Sequence, residues 1–470
     1  MSKKQVPAVS QEEILRQKNI IKSINAALMS DGKVKKAFVE TYGCQQNVND
    51  SELICGMLID MGYVMTDSKE DADLILYNTC AVRENAELKV FGNLGALKHL
   101  KSKKDDLVIC VCGCMMQQKD IQDQIKRKYK HVSLVFGTHS LYRFPSLLSG
   151  VLFGDKRVFD MSEDGVIAEE LPIHRQEGPC AWVSVMYGCN NFCTYCIVPY
   201  VRGRERSRDK DVILKEIKSL ADEGYKEITL LGQNVNSYGN DLDEDIDFAD
   251  LLTMVHEIDG IERIRFMTSH PKDISDKLID TMAALPKVCK QLHLPVQAGN
   301  NEVLRTMNRR YTKEDYLKKI EKIKSKMPSI TLTSDIIVGF PGETNEQFLD
   351  TLDVLEKVRY DTIFSFIYSR RPGTPAAKMS DVVTSEDKKN NFNALLKVQD
   401  RISKEINDSY VGTVQRVLVE GASKTNPDTL SGRTEGGKIV NFVAPKSAIG
   451  TFVDVKITES RTWSLVGEQI

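Results

Sequence analysis

From residue 36 to residue 373 the chain repeats one pattern. A short apolar run ends in a polar or glycine-rich turn, and an amphipathic helix follows. Strands alternating with helices pair in parallel through right-handed crossovers, which confines the chain to α/β architectures. Strand ends of one polarity then share one edge of each sheet, where such folds bind ligands. The pattern predicts strands at 36–42, 72–78, 106–112 and 133–136, with helices at 51–61, 88–100 and 117–128. These make a doubly wound parallel-sheet domain over residues 33–150.

A second series predicts strands at 182–187, 227–231, 263–267, 291–294, 331–338 and 361–368, each followed by a helix or helical run. That is a partial (β/α)6 barrel over residues 181–408, with its site on the C-terminal face and one side open to a large substrate. Residues 1–32 are expected to be an N-terminal extension with a helix at 11–29, and residues 151–180 a linker. From 409 to 470 the pattern changes to short strands (414–418, 429–433, 439–442, 451–458) with turns at Gly436-Gly437 and Asn426-Pro427. Such a run predicts a small antiparallel β-barrel, a class that includes oligonucleotide binders.

Composition narrows the chemistry. The formal net charge is -2, so any nucleic-acid surface must be a local patch. No early apolar run resembles a signal peptide and none approaches a membrane span, so a cytoplasmic protein is expected. Eleven cysteines, an odd number, then read as metal or cluster ligands and buried thiols, not as a disulfide framework.

Three of them, Cys189, Cys193 and Cys196, fall within eight residues, and no fourth follows until Cys289. A structural zinc site closes with four protein ligands. Three thiolates hold three corners of a 4Fe-4S cluster and leave the fourth iron open. The plainer alternative is a zinc site completed by a distant His or Cys. A second trio, Cys44, Cys80 and Cys114, lies just past the ends of the first three predicted strands, so it converges on one crevice. This suggests a second, auxiliary cluster; the plainer alternative is three buried small residues. Cys110, Cys112 and Cys55 read as core.

The C-x3-C-x2-C spacing, with an aromatic before the last Cys, resembles the radical S-adenosylmethionine (SAM) superfamily. Over nearly the whole chain the sequence resembles the MiaB-type tRNA methylthiotransferase family. The segments that carry this are Glu-Thr-Tyr-Gly-Cys-Gln-Gln-Asn (40–47), Asn-Thr-Cys-Ala-Val-Arg-Glu-Asn (78–85), Cys-Gly-Cys (112–114), Gly-Cys-Asn-Asn-Phe-Cys-Thr-Tyr-Cys (188–196), the arginine run 202–208, Thr-Ser-His-Pro (268–271), Leu-Pro-Val-Gln-Ala-Gly (294–299) and Gly-Phe-Pro-Gly-Glu (339–343). The last sixty residues resemble a TRAM domain.

The resemblance implies a radical SAM enzyme that converts C2–H of N6-isopentenyladenosine, next to the anticodon of tRNA, into C2–SCH3. It implies two 4Fe-4S clusters and two uses of SAM. One SAM methylates a sulfur associated with the cluster at Cys44, Cys80 and Cys114; another yields the deoxyadenosyl radical at Cys189, Cys193 and Cys196. An unactivated C–H bond needs such a cofactor, because side-chain acid–base chemistry has little purchase on it. Both clusters are then expected to face one cavity. Tyr195, Gln233, Ser269, His270, Gln297, Arg310 and Asp335, on the cluster loop or near strand ends, are candidate SAM contacts. Arg202, Arg204, Arg206 and Arg208 are expected to contact RNA phosphates, against a solvated loop paired with Glu205. Implied partners are an electron donor such as flavodoxin or ferredoxin and a sulfur donor, with the enzyme acting as a monomer. Sister enzymes act on threonylcarbamoyladenosine in tRNA or on an aspartate of a ribosomal protein. The rival from another class is a non-catalytic iron–sulfur or zinc RNA-binding protein.

Overall fold

The computed structural model describes residues 8–81, 84–154, 157–162, 165–175, 177–424, 426 and 428–470, with the side chains of 84–86 outside the described set. Val82 and Arg83 of the 78–85 segment, Lys156 of the predicted linker and Pro427 of a predicted turn lie outside it. Two compact units emerge. One comprises residues 1–176, 187–190 and 197–208; the other comprises 177–186, 191–196 and 209–470.

The first unit is built on a six-stranded parallel sheet. Its strands lie in the order Val64–Met65, Lys36–Tyr42, Leu74–Thr79, Val108–Gly113, Leu134–Phe136, Val158–Asp160. The central strands Leu74–Thr79 and Val108–Gly113 are buried at every position, as expected of a parallel sheet covered on both faces. Alternate residues feed two cores, one around Leu74, Leu76 and Cys110, the other around Ile75, Tyr77 and Val111. The sequence reading missed one helix of this unit and took one strand of the sheet only as a ribbon-like run, 156–161, within a linker. Helix Phe144–Phe153 starts with Pro145 in its first turn, and strand Val158–Asp160 is too short to show a period. Residues 158–160, assigned above to a linker, complete the sheet. Helix Gln11–Ser30 places Ile21 and Ile24 in the Leu74 core and is therefore part of the same body.

The second unit carries six parallel strands: Cys180–Ser184, Glu227–Leu231, Arg263–Phe266, Gln291–His293, Thr331–Val338 and Thr362–Ile367. They pair as two groups of three, joined by a bridge between Ile264 and Val288. Helices Lys210–Asp222, Phe248–His256, Asp276–Ala284, Lys313–Lys326 and Asn345–Val358 cover one face over a single continuous core. The other is the inner (lumen) face, and Thr362–Ile367 is an edge strand. Helix Ser385–Asp408 leads to a closed five-stranded barrel of Val414–Ala422, Leu430–Arg433, Ile439–Val443, Phe452–Ser460 and Leu465–Gln469. Its last strand was not expected, and it closes the barrel by pairing in parallel with Ile439–Val443. The other pairs are antiparallel.

The barrel is tied to the N-terminal ends of the half-barrel strands. Arg263 donates to the carbonyls of Arg433 (2.8 Å) and Arg416 (2.7 Å), and Arg265 to those of Glu435 (2.7 Å) and Thr434 (2.8 Å). Arg265 also pairs with buried Glu227 at 2.8 Å. Among the described residues, no helix is long and apolar enough to cross a membrane.

Candidate active site

The first cysteine trio follows from register. Tyr42 pairs with Thr79, and Thr79 with Gly113, so three adjacent strands end level. Cys80 and Cys114 are the next residues of their strands, and Cys44 lies two residues past Tyr42. Adjacent strands lie about 4.8 Å apart, which brings the three thiols to one stretch of sheet edge. The edge is braced by two asparagines that sequence reasoning did not single out. Asn47 Nδ2 donates to Asn78 Oδ1 (3.1 Å) and to the Thr79 carbonyl (3.3 Å). Asn78 Nδ2 returns bonds to the Asn47 carbonyl (2.8 Å) and Ser51 Oγ (2.9 Å). Cys44 caps helix Gln45–Asp60, with the Asn47 side chain closing the cap, so this helix starts at the cysteine and not at residue 51. Gly113 turns the chain toward Cys114 with φ +99; a Cβ there would lie 2.4 Å from Asn78 Oδ1 and the Thr79 carbonyl. Burial pushes the Cys114 thiol up to about 12, against the pull of Arg202, and Cys80 and Cys44 are close enough to raise it further.

Among the described residues, no group of three or more His, Cys, Asp or Glu is gathered around a point that would hold one metal ion. A 4Fe-4S cluster asks for something wider, because each thiolate ligates a different iron. Three level thiols on a braced sheet edge fit that demand.

The loop with the second trio is held segment by segment. In the first unit, Cys189 N donates to the Gly203 carbonyl (3.1 Å), and Asn190 N and Nδ2 donate to the Glu205 carboxylate (3.0 and 3.2 Å). Gly188 has φ +79, and a Cβ there would strike the Arg204 carbonyl at 1.9 Å. In the second unit, Thr194 N donates to the Met307 carbonyl (3.0 Å), and Asn308 Nδ2 to the carbonyls of Asn191 (3.1 Å) and Phe192 (3.0 Å). Arg309, which sequence reasoning also missed, is buried and donates to the Pro295 carbonyl (2.7 Å), Cys193 Sγ (3.4 Å) and Tyr195 Oη (3.4 Å).

Non-glycine residues with positive φ gather here: Phe192 (47), Thr268 (68), Gln297 (70), Asn308 (60) and Arg310 (59). Such backbone is strained and persists where its surroundings impose it, often at functional sites. Gln297 exchanges backbone bonds with Asp335 and Ile337 (2.9 Å each), which fixes the turn after strand Gln291–His293. Ser269 and His270 are buried at the end of the neighbouring strand, and Ser269 Oγ and His270 Nε2 have no hydrogen-bond partner. His270 Nδ1 accepts from Lys272 N (3.2 Å), which leaves the proton on Nε2. Burial and the charges of Arg309, Lys272 and Arg310 hold His270 neutral, with its pKa lowered to about 2. Unsatisfied buried polar atoms cost about 1–3 kcal/mol each, a cost removed when a polar ligand such as SAM meets them. Gln233 is half-buried past strand Glu227–Leu231. Tyr195 packs with Ala298, Met307 and Phe340. Arg310 is exposed, its Nε reaching Asn308 Oδ1 at 3.5 Å.

The lumen face is readable from register. Asp335 pairs with Phe364, and Ile337 with Phe366. These four therefore share the face opposite Ile336, Ile363 and the helix-covered core. His293 joins them, its Nε2 3.5 Å from Asp335 Oδ1 and its ring 5.8 Å from that of Phe364. Phe364 and Phe366 are about half exposed, at 47% and 46%.

The four loop arginines do not form a phosphate-facing row. Arg202 donates to Cys114 Sγ and Asp50, Arg206 to the carbonyls of Arg202 (3.0 Å) and Arg204 (2.9 Å), and Arg208 to Glu169 (2.6 Å). All three are buried; Arg204 alone is exposed. Their charges close internal sites, and burial, the deciding variable, is invisible in a run of alternating arginines.

A parallel half barrel with a three-cysteine loop defines the radical SAM class of enzyme, and the radical SAM superfamily matches residues 183–355. Residues 36–137 match the uncharacterized protein family UPF0004, and residues 408–470 match the TRAM domain. A tRNA-2-methylthio-N(6)-dimethylallyladenosine synthase of Acetivibrio thermocellus is 58% identical, over 98% of this chain and 97% of that one. Proteins of the same name from Alkaliphilus oremlandii and Clostridioides difficile are 56% and 54% identical, over 100% and 99% of each chain. The chain belongs to the tRNA-2-methylthio-N(6)-dimethylallyladenosine synthase family. In fold it is similar to the radical SAM methyltransferase TsrM of Kitasatospora setae (TM-score 0.53, 13% identity, 81% of this chain and 78% of that one).

Proposed function

We propose that this chain replaces C2–H of N6-dimethylallyladenosine in tRNA by C2–SCH3. The observation that carries the reading is identity above half with synthases of that name over essentially full length. Two 4Fe-4S clusters and SAM, when bound, would hold the sulfur and supply its methyl group and the one-electron chemistry that the C–H bond demands.

The chain's own residues bind and orient. Cys44, Cys80 and Cys114 hold the auxiliary cluster, and Cys189, Cys193 and Cys196 the SAM-binding one. Ser269 Oγ and His270 Nε2 offer SAM a hydroxyl and an N–H from the end of one strand, with Gln233 and Gln297 past neighbouring strand ends and Asp335 within strand Thr331–Val338. Tyr195 and Arg309 brace the Cys193 loop from behind. The base comes from a single-stranded tRNA loop, so splaying it into the lumen costs little compared with opening a duplex. Phe364 and Phe366, on the edge strand, present two rings to a flat base bearing a branched five-carbon chain, and stacking on such rings contributes about 1–3 kcal/mol per base. Exposed Arg204 is the member of its run positioned to meet phosphate. The TRAM barrel adds RNA contact. A low-potential donor such as flavodoxin or ferredoxin and a sulfur donor complete the cycle, and the enzyme acts as a cytoplasmic monomer.

Mass spectrometry of tRNA nucleosides from cells lacking the protein tests the assignment. Dimethylallyladenosine accumulating in place of its methylthio form supports it. Loss of methylthiolated threonylcarbamoyladenosine, with the dimethylallyl form intact, contradicts it.

A further inference from the structure

Arg202 lies in the loop beyond the second cysteine trio, yet its side chain is committed to the first. Nε donates to Cys114 Sγ at 3.1 Å and Nη2 to Asp50 at 2.5 Å. Both ends of the pair are buried, at 7% and 6% side-chain exposure. The backbone around it is fixed. Arg202 N donates to the Val198 carbonyl (2.8 Å), and Thr138 Oγ1 to the Val201 carbonyl (2.6 Å). The Arg202 carbonyl itself accepts from Arg206 (3.0 Å). Ile197 and Val201 pack with Ala81 and Cys114, shutting water out of the contact. A buried guanidinium costs much free energy unless each of its donors is used. Asp50 takes one Nη2 donor, and the Nε donor is aimed at a cluster ligand.

We propose that Arg202 is a positioning residue that sets the reduction potential of the cluster held by Cys44, Cys80 and Cys114. A donor on a ligating sulfur and a nearby positive charge both favour the reduced, more negative state of a thiolate-bound cluster, so they raise its potential. Asp50 opposes this by neutralising part of the charge. The two residues therefore act with opposite signs, although they form one ion pair. A purely structural pair has no such sign difference, since breaking it from either side loosens the same sheet edge.

The inference rests on the two-cluster reading, and one experiment separates the two. In full-length protein with Cys189, Cys193 and Cys196 all replaced by Ala, only the auxiliary cluster remains, and its midpoint is read by anaerobic redox titration with electron paramagnetic resonance. If this parent takes up no cluster on reconstitution, the two-cluster reading itself fails. With the cluster in place, Arg202→Gln is expected to shift the midpoint negative by enough for at least a tenfold change in the reduced-to-oxidised ratio at a fixed potential, which is 59 mV for one electron. Asp50→Asn is expected to shift it positive. Should Arg202→Gln lose its iron, Asp50→Asn, which leaves the guanidinium in place, decides the matter: a positive shift supports the proposal, and an unshifted or negative one overturns it. Midpoints that stay put in both Arg202→Gln and Asp50→Asn, or move in the same direction, also overturn it.

Discussion

Replacing Arg265 by Met should unfold the half barrel more easily by about 4 kcal/mol, and the figure follows from what the guanidinium holds. Its Nε pairs with Glu227 Oε1 at 2.8 Å, and Glu227 is only 5% exposed at its side chain. Its two other nitrogens reach the Glu435 and Thr434 carbonyls in the C-terminal barrel, at 2.7 and 2.8 Å. Removing one partner of a buried pair costs about 3–5 kcal/mol, because the other charge is left behind. Each lost carbonyl bond adds about 1 kcal/mol. Two terms offset part of this: Met buries apolar surface, and Arg263 Nη1 remains 3.9 Å from Glu227. The assay is urea denaturation of the full chain, followed by circular dichroism. Glu227→Gln added to Arg265→Met removes the stranded charge and should restore about 2 kcal/mol, which a double-mutant cycle isolates. Arg416, paired with Glu262 at 2.7 Å but 61% exposed, is the contrast, and its Ala variant should lose no more than about 1 kcal/mol. An Arg265→Met loss below about 1 kcal/mol, or no recovery in the double variant, would refute the reasoning.

Other outcomes follow from the same geometry. Cys189→Ala removes one of three thiolates from the SAM-binding cluster, so deoxyadenosine formation should vanish; normal formation in that variant contradicts the radical SAM site. Deleting residues 409–470 removes the carbonyls that Arg263 and Arg265 use, so the truncated chain should lose stability as well as tRNA affinity; unchanged denaturation would show that the barrel is a free appendage. Glu343, whose Oε2 accepts from Gly339 N at 2.6 Å while Oε1 has no partner, is raised by burial to about 7 from 4.5. Its folded form keeps a proton that the unfolded form releases, so between pH 4.5 and 7 stability should fall as pH rises, by up to about 3 kcal/mol. Glu343→Gln should flatten that slope, and an identical slope in the variant would rule the residue out.

The strand–helix alternation was legible because parallel strands buried on both faces are nearly continuous apolar runs. Once the strands were placed, Cys44, Cys80 and Cys114 fell at one edge by register alone. What sequence hid was direction and burial. Arg309 and Arg310 are neighbours of one type, and only left-handed turns at Asn308 and Arg310 decide that Arg309 aims at Cys193. Arg202, Arg206 and Arg208 look like a basic surface in one dimension and are internal donors in three. Asn47 and Asn78 bond across a separation of 31 residues, which no local pattern announces. All six candidate cysteine ligands precede the C-terminal barrel, and no residue type in the sequence announces how it is attached. Its attachment runs through backbone carbonyls, which have no sequence signature.

The central claim is a division of labour between two cysteine trios, and one reaction tests it most directly. Cys44, Cys80 and Cys114 are replaced together by Ala, the other cluster is reconstituted, and the protein is given SAM, reductant and dimethylallyladenosine-bearing tRNA without oxygen. Deoxyadenosine and methylthiolated nucleoside are measured in the same tube. Deoxyadenosine without methylthiolated product is the predicted result, because the SAM-binding trio is intact and nothing holds the sulfur. Retained methylthiolation would contradict the account and leave the three strand-end cysteines as core residues.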